Sequence, residues 1–205
     1  MISPVPLLTS FSANPADAHL LFDRLVAAYS EPHRFYHTLE HIHDMLAVAA
    51  KLTAAAADPG AIELAIWFHD AVYDPKAKDN EDRSAELAIE WLRPLRIPEE
   101  ILRHVAAMIR ATAHTSADVF DADTSVLLDA DLAILSADES RYARYAADIR
   151  REYAWVEESA YRAGRAKVLQ GFLARPRIYR TERMHTIAEN AARRNLGVEL
   201  EQLQS

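Results

Sequence analysis

Along almost the whole chain, apolar residues recur every three or four positions, and no stretch alternates apolar with polar residues. That periodicity lays one apolar stripe along each of a series of helices and leaves no half-buried strand from which to build a sheet, so it predicts an all-α fold. Composition points the same way: Gly and Pro number only 4 and 9 in 205 residues, roughly half the usual share, which leaves few tight turns. Half of the residues are hydrophobic and 26% are charged, the balance of a globular chain that buries a full core.

Pro15 in a first turn after Asn14 opens a helix to about Tyr29, with Leu21, Phe22, Leu25, Val26 and Tyr29 on one face. Further helices are expected at about 36–57, 60–73, 79–93, 98–113, 122–135, 138–156, 157–173 and 178–196. With no internal repeat and no low-complexity linker, the chain reads as one compact helical bundle. Its core covers about 15–137, and a C-terminal helical extension, about 138–205, is richer in Tyr and Arg. Most of those arginines, among them Arg141, Arg144, Arg150, Arg151 and Arg162, are expected on the solvated surface.

A net charge of -8 argues against nucleic acid or an anionic membrane as the main partner. Without cysteine there is no disulfide and no thiolate site, so any metal must be held by His, Asp or Glu. The first residues, MISPVPLLTSFSA, have neither a basic start nor a long apolar run, and nowhere do about 18 apolar residues follow one another, which predicts a cytoplasmic protein outside the membrane. Self-association is compatible with the sequence.

The informative residues are polar groups on stripes that ought to be apolar. His37 and His41 share a stripe with Met45, Val48 and Leu52, and His69 continues the stripe of Ile62, Ala65 and Ile66, with Asp70 beside it. Asp131 has Leu127, Leu128, Ile134 and Leu135 as its three- and four-residue neighbours, whereas Asp129 lies among Ser125, Val126, Leu132 and Ala133 on another face. An ionised carboxylate in a dry core is costly unless paired or metal-bound, so these intrusions together ask for one shared cation. Two histidines, a His-Asp pair and a remote Asp make a nitrogen and oxygen donor set suited to Mn, Fe, Co, Ni or Zn.

The order His41, His69-Asp70, then Asp131 resembles the H…HD…D arrangement of the HD superfamily of metal-dependent phosphohydrolases, which are all-helical. The spacing of His37 and His41 is similar to the stretch that opens the cyclic-nucleotide phosphodiesterase branch. Arg34-Phe35-Tyr36-His37, Trp67-Phe68-His69-Asp70-Ala71-Val72-Tyr73-Asp74 and Asn80-Glu81-Asp82-Arg83-Ser84-Ala85 resemble a bacterial family of predicted HD phosphohydrolases, as do Gly164-Arg165, Phe172-Leu173, Ile178-Tyr179 and Ala192-Arg193-Arg194-Asn195-Leu196. The chain has no GYP motif, and after His69-Asp70 it reads Ala71-Val72-Tyr73-Asp74 and so lacks the HDxxED word of guanosine tetraphosphate hydrolases.

The resemblance implies that His41, His69, Asp70 and Asp131 hold one or two divalent ions (Mn, Fe, Co, Ni, Zn or Mg). These would activate water against a small phosphorylated substrate, a nucleotide among the candidates. In that reading Asp70 bridges to a second ion or accepts the water proton, and His37 protonates the leaving oxygen or orients a ligand. Asn80, Glu81 and Ser84 order water or phosphate, or simply cap a helix. His114 is a second-metal or substrate ligand, or a helix-end histidine. Arg34, Arg165 and Lys167 are the candidate phosphate cations. His33, His43, His104 and His185 fall off the stripes and are expected at the surface. Two other functions fit the same residues: a di-iron oxygenase using His37 and His114 as extra ligands, and a non-catalytic nucleotide-binding regulatory module.

Overall fold

A computed structural model describes residues 2–11, 13–114 and 120–204, and among them it has ten α-helices and no strand. No helix of the described residues is long and apolar enough to cross a membrane. The chain divides into two compact units, Met1–Ala130 and Asp131–Ser205.

The first unit opens with a short helix the periodicity did not announce, α1 (Val5–Ser10), which buries Leu8 completely. Helix α2 (Pro15–Ala28) starts as expected: the Asn14 side chain accepts from the Ala16 amide at 2.8 Å and Pro15 fills the first position. Helix α3 (Leu39–Ala49) is shorter than expected at both ends. Thr38 caps it by accepting from the Glu40 amide at 3.3 Å, so His37 lies in the turn before the helix. The alanine tract beyond it forms only a 3-10 turn at Thr53–Ala55.

Helix α4 (Pro59–Phe68), capped by Asp58, is the centre of this unit, with Ala61, Ile62 and all of Leu64 to Phe68 buried. Apolar apart from the half-buried Glu63, it packs against α3, α5 (Asn80–Leu92) and α6 (Glu99–Ala111). The expected run to residue 73 stops short, and side chains satisfy the backbone groups of the turn that follows. Arg34 donates to the carbonyls of Asp70 and Ala71, and the Ser84 hydroxyl accepts from the Val72 amide at 3.1 Å and donates to the Val72 carbonyl at 3.2 Å. Helix α7 (Ala122–Asp131) runs to the last residue of this unit, Ala130, and one residue beyond, and a 3-10 segment, Leu132–Ser136, replaces its expected last turn.

The second unit holds α8 (Glu139–Glu152), α9 (Glu158–Leu173) and α10 (Glu182–Gln204), with α10 packed along α9 and the 3-10 segment. Helix α10 begins later than expected because the buried Glu189 carboxylate accepts from the Ile178 and Tyr179 amides, which holds those residues out of the helix. The helix then runs through Gly197, where an added Cβ would meet nothing within 4 Å.

Candidate metal centre

His41, His69 and Asp131 each bring one ligand atom to within 4.8 Å of the others, the one such grouping among the described residues. His41 comes from the first turns of α3, His69 caps the C-terminus of α4, and Asp131 is the last residue of α7. Both histidines are buried, at 2% and 1% exposure, and their Nε2 atoms face each other at 3.3 Å.

The ring of His69 is oriented from behind. Its Nδ1 lies 3.0 Å from the Ile66 carbonyl, which can only accept, so Nδ1 carries a proton and Nε2 is turned into the centre. There Nε2 meets the Asp70 carboxylate, with Oδ2 at 2.8 Å; the same oxygen is 3.9 Å from His41 Nε2. Burial pushes the Asp70 carboxyl up, but His69, His37 and His41 outweigh it, and the group is held well below the usual carboxylate range. An ionised oxygen against a ring nitrogen whose partner nitrogen is already a donor requires either an imidazolium or a cation between them.

The donor chemistry fits a divalent ion. Imidazole nitrogens and carboxylate oxygens suit Zn and the Mn-to-Ni series, and a backbone carbonyl on the far nitrogen is the outer-shell partner a metal-ligating histidine generally has. His41, His69 and Asp131 would hold it, with Asp70 at hand.

His37 stands at the rim, half-buried, its ring stacked on Tyr73 at 4.2 Å and 28° and edge-on to His41 at 6.1 Å. Tyr36 packs against the His41 ring at 4.7 Å. These two tyrosines frame the histidines; both stand in words that carry the family resemblance, but sequence reasoning gives neither a role at the site.

The remaining candidates separate. Ser84 is fully buried and holds the Val72 peptide. The Asn80 side chain closes the loop before α5, accepting from the Asp74 amide at 3.0 Å and donating to its carbonyl at 2.9 Å. Glu81 is half-buried in the first turn of α5, and His114 follows α6 in the left-handed region, φ 53°. Arg34 is buried, its guanidinium on backbone carbonyls and Glu31. Arg165 lies in the second unit, where Glu199 of α10 takes its Nε at 2.7 Å and Tyr142 also donates to that carboxylate. Lys167 is exposed.

The burial of the two aspartates differs from expectation: Asp129 is fully buried and Asp131 only half so, yet Asp131 is the one that joins the histidines. The four off-stripe histidines are half-buried rather than at the surface. His33 donates to the Tyr73 carbonyl at 2.9 Å, His43 lies edge-on to Trp67, His104 meets buried Asp123 at 3.1 Å and His185 meets Glu189 at 3.4 Å.

No protein-family model matches this chain, and searches of curated proteins and of solved structures return no match.

Proposed function

We propose that the protein is a metal-dependent phosphohydrolase of the HD type, cleaving a phosphomonoester, nucleotide or phosphodiester in the cytoplasm. The observation that supports this best is the meeting of His41, His69 and Asp131, from three separate helices, with Asp70 beside them. A divalent ion in that donor set supplies Lewis acidity toward a phosphoryl oxygen and lowers the pKa of water.

The chain's own groups do the rest. Asp70, kept ionised by the surrounding imidazoles, is a poor store for a proton and serves as an acceptor that orients the attacking water. His37, half-buried at the rim with its ring fixed on Tyr73, can reach a leaving oxygen and hand it a proton.

The test is phosphate release by the purified protein from phosphomonoesters, nucleotides and phosphodiesters, with Mn, Mg, Co or Ni added and after chelation. Release that needs a metal and disappears in His69→Ala is the expected result. Release that survives chelation, or none with any combination, would overturn the reading.

A further inference from the structure

Arg34 is a charged side chain placed entirely out of solvent, at 0% side-chain exposure. Its Nε donates to Glu31 at 2.9 Å. Nη1 donates to the Asp70 carbonyl at 2.7 Å and to the His37 carbonyl at 3.3 Å, and Nη2 donates to the Ala71 carbonyl at 3.2 Å. The guanidinium also lies 5.2 Å from the Tyr29 ring and 5.3 Å from the Tyr73 ring. Burying a guanidinium is costly unless its donors are matched, and here they are spread over two separate segments.

Two of the carbonyls belong to the turn just past α4, where helical partners have run out. The third belongs to the turn before α3. Arg34 therefore ties together the two stretches of backbone that bear Asp70 and His37, and it leaves both of those side chains pointed at the histidine pair. Because Asp70 Oδ2 stands 2.8 Å from one Nε2 and 3.9 Å from the other, a small slip of the 70–71 turn would change which nitrogens it serves.

We propose that Arg34 is a positioning residue for the centre, fixing the Asp70 carboxylate and the His37 ring through their backbone carbonyls. The proposal rests on the reading of His41, His69 and Asp131 as a metal centre. A lysine cannot take this place, since an ammonium is a point charge without the planar fork that spans three acceptors.

Arg193 provides a control of matching chemistry in the second unit, where it donates to the carbonyls of Leu173 at 3.0 Å and Arg175 at 2.7 Å and pairs with Glu189. The experiment titrates Co2+ into the full chain, reading affinity by dialysis and ligand field by visible absorption, for wild type, Arg34→Met, Arg34→Lys, Arg34→Gly and Arg193→Met. With the Asp70 carboxylate no longer held against the two Nε2 atoms that would face the ion, the Arg34 variants should bind Co2+ about 10- to 100-fold more weakly, the usual loss for a partner that orients metal ligands, with an altered absorption band. Millimolar guanidinium should restore affinity and band in Arg34→Gly. Arg193→Met should lower the melting temperature and leave both readings at the wild-type value.

Should Arg34→Met fail to fold, Arg34→Lys keeps a cation under the two rings and carries the same expectation. Arg34 variants within twofold of wild type with an unchanged band, or an equal loss in Arg193→Met, would overturn the positioning role alone. A wild type that takes up no Co2+ would overturn the centre itself and the positioning role with it.

Discussion

The two ring nitrogens of His69 are used differently, Nδ1 being held by the Ile66 carbonyl of its own helix while Nε2 faces His41 and Asp70. Asp131 joins the grouping that could hold a metal, and Asp129, two residues earlier, is buried and not part of it. Asp131→Ala should therefore abolish stoichiometric Mn2+ or Co2+ binding, while Asp129→Ala should keep the metal and lower the melting temperature; metal analysis with a thermal melt decides. Equal metal loss in both variants would assign the role to the wrong carboxylate. His37→Ala should retain the metal and slow hydrolysis by roughly 10²- to 10⁴-fold, the usual share of a positioned acid. The loss should be smaller for a nitrophenyl than for an alkyl phosphate, because nitrophenolate departs without protonation. A uniform loss across leaving groups would make His37 a ligand-orienting residue. That His41, His69 and Asp131 would come together was legible in the sequence because a histidine or aspartate on an apolar stripe has to be explained. Arg34 was not, since nothing in the sequence tells a guanidinium offered to phosphate from one spent on backbone carbonyls.

At the scale of the element, the existence of every helix but α1 followed from periodicity, while ends met partners far along the chain. The turn that follows the stop of α4 at Phe68 is held by Arg34 and Ser84, respectively 34 residues before and 16 residues after Phe68 in sequence, and no local signal announces either. The start of α7 shows a similar long-range tie. Asp123 in its first turn is 4% exposed and accepts from the amides of Ala57 at 2.6 Å and Asp58 at 3.1 Å and from His104 Nε2 at 3.1 Å. It staples the entry to α4 onto α6 and α7. Asp123→Ala should destabilise the protein by about 1–3 kcal/mol in urea unfolding, the usual cost of leaving buried donors without an acceptor. A change below about 0.5 kcal/mol, within the range of ordinary surface substitutions, would remove the staple role.

For the molecule as a whole, the two compact units use the same device, a buried carboxylate that gathers loop amides, and in the second unit it is Glu189. Burial pushes that carboxyl up, but the amides of Ile178 and Tyr179, with Arg193 and His185, more than reverse it and leave it below its ordinary 4.5. A folded-state pKa below the unfolded one gives stability that is fully present above the unfolded value and is lost as pH falls through the folded one. The gap in urea midpoint between wild type and Glu189→Gln should then be widest near about pH 7 and close as pH drops below the ordinary glutamate range. A gap unchanged by acid would show that Glu189 acts by shape and not by charge. In the first unit, α4 has another consequence, which concerns the order of events. A ten-residue helix whose side chains are apolar but for Glu63 has no stable existence in water, so it can form only as α3, α5 and α6 close around it. His69 rides on its end. The grouping of His41, His69 and Asp131 is therefore a product of core formation and cannot seed it: a cation held there would enter after collapse, the refolding rate should be indifferent to added metal, and the metal should act by slowing unfolding.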